Sequence, residues 1–283
     1  MIELVECPRD AMQGIKSQIP TELKIEYINA FLKVGFDTID FGSFVSPKAV
    51  PQMADTAKVL ENLDLGSTNS KLLAIVANER GAEDACSFEL IDFLGYPFSI
   101  SETFQQRNTH ASIEESLLRV EQIHSLALRH QKELVVYISM AFGNPYGDEW
   151  HADIAAKWAT RLHNDLGINT LALSDTIGTS NRESIRDLFS TLIPAFPEVN
   201  FGAHLHTTPE SWREKIEAAY QSGCRRFDGA IKGYGGCPMA ADDLTGNMAT
   251  ENILSYLAEI QVETNIDPNE FNKAMQISNK VFL

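Results

Sequence analysis

Apolar and polar positions along the chain follow two alternating periods. Short runs of β-branched and apolar residues, bounded by polar breaks, recur eight times and predict strands. They begin at Ile2 (IELVE), Thr38 (TIDFG), Lys71 (KLLAIV), Glu89 (ELIDFLG), Leu134 (LVVYIS), Thr170 (TLALS), Asn200 (NFGAHLH) and Cys224 (CRRFDGAI). The fourth and eighth patterns are the weakest. Longer segments with a helical period lie between the strands. Thr21 to Val34 puts Leu23, Tyr27, Ala30, Phe31 and Val34 at helical spacing, and Gly35 supplies the stop. Ser112 opens S-I-E-E, a capping box with Glu115 at the third helical position, ahead of Leu117, Leu118, Ile123 and Leu126. Ala152 to Leu166 stops at Gly167, and Trp212 to Tyr220 stops near Gly223.

The unit of strand, helix, glycine and strand repeats at roughly 30–40 residues, the length of a βα unit. No linker, low-complexity tract or composition shift divides the chain. Eight units therefore predict an α/β fold, a single (β/α)8 TIM barrel over residues 1–283. A C-terminal helix over 265–283, with Phe271, Met275 and Val281 apolar, would pack on the barrel or against a partner. The competing architecture is an open doubly wound sheet, which usually carries G-x-G-x-x-G after its first strand. Here Cys7-Pro8-Arg9-Asp10 stands in that place. In a barrel, chemistry collects at the C-terminal ends of the strands, so those ends are where a site is expected.

Charge narrows the partners. The 283 residues hold 23 Lys and Arg against 39 Asp and Glu, a formal net charge of −16. That balance excludes a general nucleic-acid surface and a basic helix lying on an anionic membrane. It does not exclude an anionic ligand in one cleft. No apolar run approaches the ~18 residues of a membrane span. The first residues, MIELVECPRD, lack the basic start and apolar core of a signal peptide. Cys7, Cys86, Cys224 and Cys237 form no C-x-x-C pair, so a reduced, cytoplasmic setting is expected. The default reading of each cysteine is an inert buried thiol.

Several strand ends carry chemistry. Arg9 and Asp10 follow the first strand, with Gln13 and Lys16 beyond; alone, Arg-Asp is often a surface ion pair. Asp175 and Thr176 follow the sixth strand in S-D-T-I-G, where an aspartate can equally be a helix N-cap. His204 and His206 lie two residues apart on the seventh, which turns both imidazoles to one face. A lone H-x-H is more often two structural histidines than a ligand pair. Adding the carboxylate of Asp10 and the amide of Asn247 gives a mixed N/O set suited to Mg²⁺, Mn²⁺ or Zn²⁺ with open positions. After the eighth strand, Gly233-Tyr234-Gly235-Gly236-Cys237-Pro238 predicts a tight loop that approaches a ligand closely. A thiol on such a loop, near a metal or a histidine, could carry a proton in catalysis.

These residues together resemble the 3-hydroxy-3-methylglutaryl-CoA lyases, within the metal-dependent TIM-barrel superfamily of lyases and Claisen-type synthases. The resemblance runs from Glu3 to about Leu257. It is carried by P-R-D-A-M-Q at Pro8–Gln13, S-F-V-S-P-K at Ser43–Lys48, V-P-Q-M at Val50–Met53 and S-I-E-E-S at Ser112–Ser116. S-D-T-I-G at Ser174–Gly178, H-L-H, G-G-C-P at Gly235–Pro238 and G-N-M-A-T-E at Gly246–Glu251 complete it. The resemblance implies one divalent cation, Mg²⁺ or Mn²⁺, on Asp10, His204, His206 and Asn247. It implies no permanently bound organic cofactor, with CoA entering as part of an acyl-CoA substrate. The implied reaction is retro-Claisen cleavage to acetyl-CoA and acetoacetate. Arg9 would stabilise the enolate oxygen and Cys237 would protonate the enolate carbon. His204 and Asp175 are the candidates for base and proton shuttle, and a metal-bound histidine is a poor free base. Gln13 and Lys16 would meet the substrate, Lys16 through a CoA phosphate, although a solvated lysine reads as well. A homodimer is implied too.

Three departures from the family pattern bear on the acyl group. Asp40, beside the site, stands where the family usually has Glu. Thr207-Thr208-Pro209 replaces the usual Asp-Thr-Tyr-Gly after the second histidine, removing a supporting carboxylate. Ala11 and Met12 replace Gly and Leu. Two other functions compete: a Claisen-type acyltransferase, disfavoured because no room remains after Glu251 for the domains such synthases usually add, and a non-catalytic acyl-CoA- or metal-binding barrel. The leading expectation is an acidic lyase with a small positive pocket built from Arg9, the cation and Lys16.

Overall fold

The computed structural model describes residues 2–66, 68–236 and 245–282. Eight parallel strands close on themselves: β1 Glu3–Glu6, β2 Thr38–Ser43, β3 Lys71–Ile75, β4 Phe93–Ser99, β5 Glu133–Ser139, β6 Thr170–Ser174, β7 Asn200–His204 and β8 Arg226–Gly229. Closure is made by β1 against β8, with Glu3 opposite Arg226 and Val5 opposite Asp228. Helices follow the strands and pack outside them, which is the (β/α)8 barrel the periodicity predicts. No helix among the described residues is long and apolar enough to cross a membrane.

The fourth strand is displaced from its expected position. Glu89 and Leu90 form a turn, and Asp92 turns its side chain to the backbone N–H of Leu72 at 2.9 Å. The pairing then runs from Phe93 to Ser99, through Pro97. The apolar run ELIDFLG spans a turn and half a strand, and period alone cannot divide the two. The helix after β1 begins with Pro8 at its first turn, where a missing N–H costs nothing. The helix Thr21–Phe31 ends three residues before Val34, and the chain turns through Gly35 at φ +98°. Ser112 and Glu115 make the predicted reciprocal box at the head of Ile113–Arg129. The helix Ala152–Thr160 loosens into a π-type turn, Arg161–Asp165, before Gly167. The C-terminal helix Pro268–Phe282 packs on Thr21–Phe31, burying Phe271, Ala274 and Val281.

The lumen has two unlike halves. On one side Leu73, Ile75, Val135, Tyr137 and Ala172 form an apolar cluster. Gly95 on β4 leaves room for it; a Cβ there would stand 2.5 Å from Ile75 Cδ1. On the other side β2 and β8 present buried charge, Asp40, Arg226 and Asp228, each at most 2% exposed, with His204 of β7 beside them. An apolar half needs only volume, whereas a charged half needs partners.

Glu6 ties the end of β1 to the segment after β8 and to the helix Thr250–Glu259. It accepts from the N–H of Ile231 at 2.8 Å and shares a 2.6 Å contact with Thr250 Oγ1. Burial pushes its carboxyl up to about 8. The folded protein therefore holds a proton that the unfolded chain has released above its ordinary value of 4.5. This contribution is complete below 4.5 and is lost as pH rises toward 8. Between these limits, urea titrations should show the native protein losing up to about 1.4 kcal/mol per pH unit relative to Glu6→Gln. Parallel pH profiles for the two proteins would show that Glu6 ionises in the fold.

Candidate active site

Local sequence sets the first half of the site. Because Pro8 starts a helix directly off β1, Arg9 and Asp10 turn inward at the strand top, each 7% exposed. Arg9 Nε donates to both oxygens of Asp40 at 3.1 and 3.0 Å, its Nη2 lies 2.5 Å from Asp40 Oδ2, and its Nη1 donates to Asp10 Oδ1 at 3.0 Å. The pairing of β2 with β3 slips between Asp40 and Gly42, a bulge of the kind that re-aims a side chain beside a site. Gly42 lies against Thr56, where a Cβ would stand 2.4 Å from its methyl. Burial pushes Asp40 up to about 6 despite Arg9. Burial also raises Asp10, but Arg9, His204, Asn247 and His206 outweigh it and hold Asp10 below the usual carboxylate range. Gln13 adds a 2.6 Å hydrogen bond to Asp10 Oδ1.

The second half comes from β7 and the segment after β8. His204 ends the strand, and His206 lies beyond it in an isolated antiparallel bridge with Asn247. The two rings lie on one side, 5.6 Å apart between centroids and tilted by 56°, and the i, i+2 spacing predicts that shared side. Asn247 donates to Asp10 Oδ2 at 2.6 Å and to the carbonyl of Tyr234 at 2.9 Å. Asp10, His204 and His206 each offer a ligand atom, and these atoms lie within 4.8 Å of one another. His206 Nδ1 is buried with no hydrogen-bond partner. Burial and the neighbouring His204 push His206 down to about 4, so it is a neutral imidazole with a lone pair to give. A buried carboxylate, a neutral imidazole, a second imidazole and an adjacent amide fit a divalent cation.

Cys7, His204 and Asp228 form a second convergent group. It fits a cation less well. Burial, then Asp228, Asp40 and Asp10, keep the Cys7 thiol far from ionising, and Asp228 is committed to Arg226 at 2.7 Å. Burial lowers His204, but its contact with Asp228 Oδ2 at 3.3 Å outweighs this and raises it.

The HMGL-like family matches this chain over residues 3–281. The chain belongs to the HMGL-like family. It is 34% identical over 267 residues to the cytoplasmic 3-hydroxy-3-methylglutaryl-CoA lyase of Danio rerio, covering 94% of this chain and 78% of that one. It is 34% identical over 270 residues to the 3-hydroxy-3-isohexenylglutaryl-CoA/hydroxy-methylglutaryl-CoA lyase of Pseudomonas aeruginosa, covering 94% and 88%. An HMG-CoA lyase of A. baumannii, solved with coenzyme A and 3-methylmalate, superposes with a TM-score of 0.91 at 28% identity, covering 99% and 91%.

Within this HMGL-like barrel, the residues expected at the mouth divide. Arg9, Asp10, Gln13, Asp40, His204, His206 and Asn247 are joined by contacts at one end of the barrel. Lys16 is exposed in the loop after the first helix. Cys237 lies outside the described residues. The loop leading to it starts on the cluster: a Cβ at Gly235, φ +96°, would stand 2.6 Å from Asn247 Nδ2 and 2.8 Å from the Asp10 carbonyl. The segment Ser43–Pro47 lines a cavity of about 200 Å³ with Asn78, Arg80 and Gly81.

Asp175 is neither a helix N-cap nor open to the mouth. Asn181 caps the following helix. Asp175 instead accepts from Ser180 Oγ at 2.5 Å, from the Ser180 N–H at 3.1 Å and from Lys215 Nζ at 2.7 Å. Lys215 also donates to the carbonyls of Gly178 and His206 at 3.0 and 2.8 Å, so one buried ammonium joins β6, β7 and the helix Trp212–Gln221. Sequence reasoning passed over Lys215 because a lone lysine in an amphipathic helix reads as solvated. It also passed over Arg226 and Asp228, although R-F-D repeats the i, i+2 spacing of H-L-H. Replacing Lys215 with Met strands a buried carboxylate and should cost on the order of 3–5 kcal/mol. Urea denaturation measures this, and a loss below ~1 kcal/mol would mean the ammonium is dispensable.

Proposed function

We propose that this protein is a divalent-metal-dependent carbon–carbon lyase that cleaves 3-hydroxy-3-methylglutaryl-CoA to acetyl-CoA and acetoacetate. The observation that carries the reading is the Asp10–His204–His206 cluster, buried at Asp10 and His206 and half-buried at His204, with Arg9 beside it, at the strand ends of an HMGL-like barrel. Asp10, His204, His206 and Asn247 would hold the cation, Mg²⁺ or Mn²⁺. Bound there, it would act as a Lewis acid on the substrate's oxygens and ease loss of the C3 hydroxyl proton.

The chain's own residues supply the remaining steps. Arg9 is clamped by Asp40 and Asp10, so its planar fork is already oriented when thioester enolate charge develops on C2–C3 cleavage. Cys237 would deliver the proton to the enolate carbon. The C3 hydroxyl proton must pass to a group in the same mouth. Asp175 is fastened to Lys215 and Ser180, which favours a positioning role for it. His204 has its Nδ1 turned to Asp228, so Nε2 is its open nitrogen. It can take a proton there only when that nitrogen is off the cation. Gln13 orients Asp10, and Lys16 would meet a CoA phosphate.

A second reading is favoured by Asp40. Its side chain is one methylene shorter than the glutamate that the family resemblance leads one to expect there, and a shorter side chain beside the site would suit a bulkier group at C3. The proposed homodimer rests on the family resemblance. A cytoplasmic setting has the same support, with relatives named both cytoplasmic and mitochondrial.

Metal-stripped protein should release no acetoacetate from 3-hydroxy-3-methylglutaryl-CoA, and Mg²⁺ or Mn²⁺ should restore release. A folded, metal-loaded protein that never releases it, but cleaves thioesters with a longer C3 substituent, would select the second reading. Arg9→Met should lower kcat by ~10²-fold or more, as loss of a preorganised charge donor does. Cys237→Ala should leave thioester binding intact and depress turnover by ~10²-fold, within the range of a positioned acid. Unchanged turnover in Cys237→Ala would remove the thiol from the reaction.

A further inference from the structure

A second charged cluster lies deeper in the barrel. Arg226 and Asp228 stand two residues apart on β8, so both side chains face the lumen, and they are 1% and 2% exposed. Arg226 Nη1 donates to Asp228 Oδ1 at 2.7 Å, and Asp228 Oδ2 lies 3.3 Å from His204 Nδ1. Toward the floor, Arg226 Nε lies 3.3 Å from Glu3 Oε1, without the alignment of a hydrogen bond. A line of groups thus runs from Glu3 through Arg226 and Asp228 to His204. The neighbouring strand makes way for it. At Gly202 on β7, a Cβ would stand 2.6 Å from Arg226 Nη1, so the guanidinium occupies space that any other residue would fill.

This arrangement has a consequence for the cation site. A buried carboxylate under an imidazole can orient the ring only if the carboxylate is itself fixed. Arg226 holds one oxygen of Asp228, which leaves the other to accept from Nδ1–H of His204. That tautomer keeps the lone pair on Nε2. The Tyr137 ring stands edge-on to His204 at 5.6 Å between centroids, and its hydroxyl has no partner. Asp228 is thus the side chain hydrogen-bonded to the His204 ring among the described residues.

We propose that Arg226 is a positioning residue that fixes the His204 tautomer through Asp228 and so strengthens divalent-cation binding at Asp10, His204, His206 and Asn247. The inference rests on that ligand set. Calorimetric titration of metal-stripped protein with Mn²⁺ tests it. Arg226→Met and Asp228→Asn should each weaken Mn²⁺ binding by about 10–100-fold, the usual effect of losing a partner behind a ligand. The double variant should be no weaker than the poorer single one, because the two residues act in series. Arg226→Lys keeps the charge without the fork, and Gly202→Ala keeps the arginine but displaces it; each should weaken binding. In ¹⁵N spectra of the Mg²⁺-loaded parent protein, His204 should appear as the Nδ1–H form.

Parent-like Mn²⁺ affinity in Arg226→Met would overturn the proposal, as would losses that multiply in the double variant or an Nε2–H form of His204. If Arg226→Met does not fold, unchanged affinity in Arg226→Lys and Gly202→Ala would overturn it instead. Failure of the folded parent protein to bind Mn²⁺ at all is a separate result. It would overturn the ligand set, and this inference with it.

Discussion

The pairing of Arg9 with Asp40 and Asp10 is the interaction on which the barrel mouth depends, because all three side chains are buried. Removing one partner would leave a charge in a medium that solvates it poorly, which costs several kcal/mol. Much of the local backbone serves this arrangement. The proline-led helix after β1 turns Arg9 and Asp10 inward, the bulge in β2 aims Asp40, and Gln13 and Asn247 occupy further lone pairs of Asp10. The same constraint recurs one layer out, where Lys215 satisfies Asp175, and one layer down, where Arg226 satisfies Asp228. Charged side chains, bound to one another, fill the half of the lumen that the apolar cluster leaves open.

Much of this was legible in the residues, for reasons that differ by element. The barrel was readable because its strands are short apolar runs between amphipathic helices, and both periods are local. β4 was misplaced because an apolar run does not mark where a turn ends, and Asp92 takes part in capping a neighbouring strand. Asp10, His204 and His206 could be grouped because a strand's two-residue period is rigid and a barrel collects its strand ends. Asp175 drew attention as a strand-end carboxylate, but its partner, Lys215, is 40 residues away on another element. No local pattern encodes such a pairing. Arg226 and Asp228 were within reach of the inward-facing rule that found the two histidines. The weakness of the eighth strand pattern hid them.

The departures from the family pattern have distinct physical settings. The aspartate usual after the second histidine is Thr207 here, and Thr207 binds the carbonyl of Gly246 through its own N–H at 2.9 Å. Lys215 meanwhile holds the carbonyl of His206, so this segment is fixed through its backbone and does not need a side-chain carboxylate. Ala11 lies under the glycine loop: a Cβ on Gly235 would stand 2.9 Å from its Cα. The two backbones can meet there because Gly235 lacks a side chain, so the change at residue 11 leaves the approach open. Asp40 is the departure that lies within the paired cluster of the mouth itself, where both its oxygens accept from Arg9.

The sign of the field at that mouth follows from the same pairs. A cationic pocket built on Arg9 is the natural expectation for an acidic protein, whose formal charge is −16, that handles an anionic thioester. Yet Arg9 is answered by two carboxylates. Among the described residues, the buried side chains that form ion pairs across the mouth and the layer beneath it are the cations Arg9, Lys215 and Arg226 and the carboxylates Asp10, Asp40, Asp175 and Asp228. The carboxylates exceed the cations by one. Arg9 supplies directed hydrogen bonds and cannot by itself make the pocket positive. A divalent ion on the Asp10–His204–His206 set would reverse the sign, and its charge would act at short range inside a low-dielectric lumen. The anionic ligand would therefore owe its attraction to the bound ion, and the protein's own charges would serve to hold that ion and to orient Arg9.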